Sequence, residues 1–159
     1  MMLYNALVGS CLRYGIRSWG SSSPQILNTL QATQNKIIQA ILFLPYTSDV
    51  KSGYSELKVL NVKQTCEHEV AKLFHSVLNN YCPETFSNFF ELSTHSYATR
   101  LRQNSCFSLM KAKTELGKKS LKFSGVKIWA SLPVSVKDIT EPKKFNKKLK
   151  SYFHDSIVI

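Results

Sequence analysis

Apolar side chains recur every three or four residues in several stretches of this chain, the period an amphipathic helix requires. Leu3, Leu7, Cys11 and Tyr14 set the first stripe, which predicts a helix over residues 2 to about 15 with that face turned to a core and with Gly15 and Gly20 bracketing its end. Ser21-Ser22-Ser23-Pro24 opens the next, with serine as N-cap and proline at the first helical position, where its missing N–H leaves no bond unmade. This helix carries Ile26, Leu27, Leu30, Ile37, Ile38, Ile41 and Leu42 until Pro45 stops it. A Ser52-Gly53 turn and a short helical piece around Tyr54–Leu60 lead into a third long helix. There Val62, Cys66, Val70, Leu73 and Val77 step along one stripe, widened by Phe74 and Leu78. Three amphipathic helices this close in sequence predict a bundle.

Beyond Tyr81-Cys82-Pro83 the period weakens. Phe86, Phe89 and Phe90 predict a short helical turn packed on the bundle, and residues 95–100 read as extended. Cys106, Ser108 and Met110 alternate with Phe107, Leu109 and Lys111, the pattern of a short β element. Residues 121–131 carry Phe123, Val126, Ile128 and Trp129 and are closed by Pro133; Trp129, at helical spacing from Val126, reads as core. A last helix has Thr140 as N-cap, Pro142 in its first turn and Phe145, Leu149, Tyr152 and Phe153 as its apolar face. The expected fold is therefore mainly α: a helical bundle over 1–82, then a less regular basic region over 83–159 with a short β element and a C-terminal amphipathic helix.

Charge divides the chain differently from hydrophobicity. Residues 1–99 hold 7 Lys+Arg against 6 Asp+Glu, net +1, whereas residues 100–159 hold 14 against 4, net +10. A basic half of this kind suits an acidic polymer, most economically RNA, DNA or an RNA–DNA hybrid, whose phosphates favour cations by counterion release; an acidic membrane surface is the less economical alternative. The candidate contacts are Arg100, Arg102, Lys111, Lys113, Lys118 and Lys119, with Lys122 and Lys127 continuing the tract, and Lys143, Lys144, Lys147 and Lys148 on the last helix. Tyr97, Phe107, Phe123 and Trp129 are interleaved with the first group, so phosphate contacts and base stacking could combine, unless these rings belong to the core. The last helix could also lie on a membrane or enter a partner's groove, but docking on the protein's own bundle is the expectation.

Catalytic chemistry finds little support. The three aspartates, Asp49, Asp138 and Asp155, are scattered singly, so the paired carboxylates that hold two divalent metals for phosphoryl transfer are missing, and no glycine-rich phosphate loop is present. Cys66 and His68 are two residues apart on a helix and point to different faces; a buried cysteine beside solvent-facing Glu67 and His68 is expected, and His75 reads as a helix-face residue. The four cysteines form no Cys-x-x-Cys pair, which predicts reduced intracellular thiols and no metal site. The longest apolar stretch, residues 37–44, is shorter than the roughly 20 residues a membrane span needs. No membrane contact and no small-molecule substrate are expected.

Five phrases occur in order along nearly the whole chain: Leu12-Arg13-Tyr14-Gly15 with Trp19-Gly20; Gln34-Asn35-Lys36-Ile37-Ile38 with Ile41; His95-Ser96-Tyr97-Ala98-Thr99-Arg100; Gly125-Val126-Lys127-Ile128-Trp129-Ala130-Ser131-Leu132-Pro133; and Phe145 four residues before Leu149. Together they resemble the C-terminal region of reverse transcriptases of LINE-type, jockey-like (non-LTR) retrotransposons. The resemblance implies a thumb-like helical domain that grips template and primer, followed by a post-thumb region, with Tyr14, Gly15, Trp19, Tyr97, Arg100, Gly125, Trp129 and Pro133 as motif positions. It also implies a palm domain as partner in the parent polymerase, Mg as that palm's cofactor with none in this chain, and a nuclear or cytoplasmic location. Gln39 departs from the family's basic residue and Arg13 from a position more often apolar. With no catalytic carboxylates, the chain itself is expected not to polymerise. Because Met1 stands where a polymerase would precede, a truncated copy or the tail of an element is expected.

Overall fold

A computed structural model describes residues 2, 4–45, 48–87, 89–90 and 107–155. These residues are mainly α-helical, with no sheet or barrel among them. They fall into two units: Met1–Glu69 with Leu149–Ile159, and Val70–Lys148.

In the first unit a π-helical turn, Tyr4–Gly9, runs into α1 (Ser10–Arg13). The helix expected here forms, but its predicted core face does not: Leu7 is 67% and Tyr14 85% exposed, and Cys11 is exposed too, while Leu3 lies outside the described residues. A π turn bonds i to i+5 instead of i+4, which rotates the stripe, so Tyr4 and Gly9 are buried instead. Tyr4 is held there by a polar anchor that periodicity cannot reveal. The buried Gln34 amide donates to the Tyr4 hydroxyl at 2.7 Å and to the Leu60 carbonyl at 2.9 Å.

Gly15 then turns the chain with φ +63, in the left-handed region that a side chain disfavours, and α2 (Ile16–Trp19) follows. α3 (Pro24–Ile41) starts at Ser23 and Pro24 as expected, although the Ser23 side chain makes no capping bond. Lys51–Leu57 form α4, so Ser52 and Gly53 lie inside a helix where a turn was expected; the break comes at Lys58, which is left-handed. α5 (Val62–Leu78) matches the third predicted helix. Tyr4, Ile38, Tyr54, Leu57 and Val59 form the core of this unit, bordered by Val8, Ile37, Ile41, Leu42 and Val50.

The second unit is built around the later half of α5, which buries Val70, Ala71, Leu73, Phe74 and Val77. It continues through α6 (Glu84–Ser87), α7 (Glu115–Lys119), α8 (Leu121–Ser131) and α9 (Val134–Lys137) into the start of α10 (Pro142–Asp155). Phe74 is fully buried, with ring centroids at 4.5 Å to Phe90, 4.8 Å to Phe107 and 6.4 Å to Trp129. Gly125 supplies the fourth wall. A Cβ built on it would stand 2.5 Å from Phe74 Cε2 and 3.3 Å from Val70 Cγ1, so the first position of the Gly-x-x-x-Trp phrase is a close approach of α8 to an aromatic edge.

The short β element does not form among the described residues. Phe107 makes an isolated bridge, and residues 108–113 are neither helix nor strand. Leu109 and Met110 are both exposed, so the alternation is not used to bury one face; Phe107 alone is drawn into the aromatic cluster. In α10 the first helical bond runs from the Phe145 N–H to the Glu141 carbonyl at 2.9 Å, which puts Glu141 rather than Thr140 in the cap position.

Candidate nucleic-acid interface

Phe145, Leu149 and Phe153 of α10 are at most 6% exposed, while Tyr152 sits at the margin at 37%. The buried stripe fixes the rotation of the helix, and Lys143, Lys144, Lys147, Lys148 and Lys150 are consequently all exposed. The same burial removes the apolar face that a membrane-lying or groove-entering helix would need. By unit, Val70–Lys148 carries 14 Lys+Arg against 5 Asp+Glu, net +9, and the remainder carries 7 against 5, net +2.

The cations are not equivalent. Glu115 pairs with Lys118 at 2.6 Å and Glu141 with Lys144 at 2.7 Å, each one helical turn apart. Hydrogen bonding to Lys118, then its charge, lowers the Glu115 pKa, and the bond to Glu141, then its charge, raises that of Lys144. Lys111, Lys113, Lys119, Lys143, Lys147 and Lys148 have no carboxylate within ion-pair distance among the described residues, although the Lys119 charge adds to the lowering of the Glu115 pKa. Arg100, Arg102 and Tyr97 lie outside the described residues.

Of the rings interleaved with the basic tract, two belong to the core. Phe107 and Trp129 are 2% and 1% exposed and cannot stack on a base; Trp129 is core, as read, and its indole nitrogen has no partner among the described residues. Phe123 is half-buried with the Lys127 ammonium 4.4 Å from its centroid. Phe86 and Phe89 are exposed, at 45% and 42%, as is Tyr81, and Lys122 stands 4.2 Å from the centroid of Phe89. No spacing rule distinguishes Phe89 from its buried neighbour Phe90.

Other motif positions are architectural. The Trp19 indole donates to the Tyr14 carbonyl at 2.8 Å, closing the turn that Gly15 makes, while the Tyr14 side chain points to solvent. Pro133 ends α8 and caps α9. Gln39, which stands where the resemblance implies a basic residue, is buried, so that position does not face an external phosphate.

Catalytic alternatives lose ground too. Burial pushes the Cys66 thiol up to about 11, with the nearby Glu67 charge adding to it, and Glu67 is itself raised by burial. A thiol so displaced is almost wholly protonated at neutral pH and is a poor nucleophile. Glu67 and His68 are half-buried rather than solvent-facing. His75 is not a surface residue: it is 2% exposed, its Nε2 is 2.7 Å from the Ile139 carbonyl, and its ring stacks on Phe145 at 4.0 Å. Among the described residues no group of three His, Cys, Asp or Glu could hold a metal, and no helix is long and apolar enough to cross a membrane. No protein-family model, curated protein or solved structure matches the chain.

Proposed function

We propose that this chain is the thumb and post-thumb portion of a LINE-type reverse transcriptase without its catalytic palm, and that it binds RNA, DNA or their hybrid without sequence preference. The observation that carries the binding reading is the placement of lysines on α10. Its first turn contains Lys143 and Lys144 and no acidic residue, although the helix dipole favours carboxylates there. The pair with Glu141 accounts locally for Lys144, but Lys143, Lys147 and Lys148 have no carboxylate within ion-pair distance among the described residues, and a polyanion outside the helix would account for them. The +9 balance of the unit supports the same reading. The link to the retrotransposon family rests on the five ordered phrases.

Such binding is electrostatic and sequence-blind. Fluorescence anisotropy with unrelated RNA, DNA and hybrid oligonucleotides is expected to give affinities that differ little between sequences. Each logarithm of affinity should fall linearly with the logarithm of salt, with a slope of about −0.7 to −0.9 per phosphate contacted. Absence of binding to any of them at low salt overturns the proposal.

A second reading, a protein-docking module, is favoured by the exposed Leu7 and Tyr14 in the first unit. In a parent polymerase such a face would meet the palm. Capture of a defined protein after nuclease treatment, with no nucleic-acid affinity, would select it.

A further inference from the structure

Resting for its consequence on the nucleic-acid reading above, we propose that Ser120 is a phosphorylation site for serine kinases that select basic sequences, and that its phosphate weakens the hold of the surrounding lysines on nucleic acid. Ser120 is the single residue between α7 and α8. It is exposed, and its backbone is extended, with φ −59 and ψ 148, the conformation in which a substrate segment lies in a kinase groove. Lys118 and Lys119 precede it and Lys122 follows two residues on, so there is positive charge on both sides to meet a groove lined by carboxylates. Glu115, the acidic residue of α7, is already paired with Lys118 at 2.6 Å.

The fold lets this segment open. α7 buries no residue, and Leu116 within it is 81% exposed, so unwinding its short helix to lay Lys118 and Lys119 alongside Ser120 gives up little apolar burial. α8 stays anchored by the buried Val126 and Trp129. In the transfer, the Ser120 Oγ attacks the γ-phosphorus of ATP. The Oγ–P bond forms as the bond to the bridging oxygen breaks, ADP leaves with that electron pair, and the hydroxyl proton passes to the kinase's catalytic carboxylate. The 2.7 Å bond from that hydroxyl to the Gly117 carbonyl is lost, but it is exposed and water takes its place. α8 has no acidic residue in its first turn, so its positive end tolerates the new anion. The phosphate brings a charge of about −1.5 to −2 into the basic tract, and each lysine that pairs with it is withdrawn from an outside polyanion.

The test treats the full chain with ATP and the catalytic domain of protein kinase C, maps the phosphate by mass spectrometry, and measures affinity for an RNA–DNA hybrid before and after. Ser120 is expected to be phosphorylated and Ser120→Ala to lose that modification. The phosphorylated protein is expected to bind the hybrid on the order of tenfold more weakly, with a shallower salt dependence. No phosphate, or phosphate elsewhere while Ser120 stays unmodified, overturns the site. Phosphorylated Ser120 with hybrid affinity unchanged overturns the weakening. Unmodified protein that binds no hybrid overturns the nucleic-acid reading itself, and the mass of the Ser120 fragment still decides the site. Should Ser120→Ala fail to fold, that same fragment from wild type decides it alone.

Discussion

Phe74→Ala is expected to destabilise the protein by about 3–5 kcal/mol, a large part of the stability of an ordinary domain. The ring is fully buried and is shared by Phe90, Phe107, Trp129 and the bare backbone of Gly125. Removing it leaves a cavity that its neighbours cannot readily fill, because Gly125 has no side chain to move inward and Trp129 is itself confined against Phe145 at 6.1 Å. Thermal or urea unfolding measures the effect. Phe86→Ala is the control: that ring is 45% exposed, and its loss should cost under about 1 kcal/mol. Equal costs for the two would mean that Phe74 is not the hub of this unit.

Reversing Lys143, Lys144, Lys147 and Lys148 to glutamate is expected to lower nucleic-acid affinity on the order of 100-fold near physiological salt and to flatten its salt dependence. The change should fall chiefly on Lys143, Lys147 and Lys148, because Lys144 already shares its charge with Glu141 at 2.7 Å. Folding should survive: all four side chains are exposed, and glutamates in the first turn complement the helix dipole. A variant as stable as wild type, or slightly more so, that binds weakly would separate function from stability. An unchanged salt slope would clear α10 of phosphate contact.

Much of the helical framework was legible because several independent signals agreed. Ser23-Pro24 marked the start of α3, one stripe from Val62 to Val77 defined α5, and Phe145, Leu149 and Phe153 gave α10 its buried face. The N-terminal face was misread because a π turn breaks the 3.6-residue period on which the reading depends. Over the described residues 107–111 the alternation gives no strand beyond the bridge at Phe107, because alternating types do not extend a strand unless one face is buried, and of these positions only Phe107 is buried.

For the candidate site, the excess of lysine was visible in composition, but the distinction among lysines was not drawn from it. Glu115 to Lys118 and Glu141 to Lys144 are three residues apart, a spacing that does foretell pairing on a helix. Which rings are free was illegible. Phe89 and Phe90 are neighbours of one type, and tertiary packing onto Phe74 decides that one is buried and the other exposed.

The most direct measurement is an amide chemical-shift titration of the isotope-labelled protein with an RNA–DNA hybrid. Shifts concentrated in residues 111–127 and 143–148, fading as salt is raised, are the expected result. Shifts confined to residues 4–60, or none at saturating hybrid, would contradict a nucleic-acid surface built from these lysines.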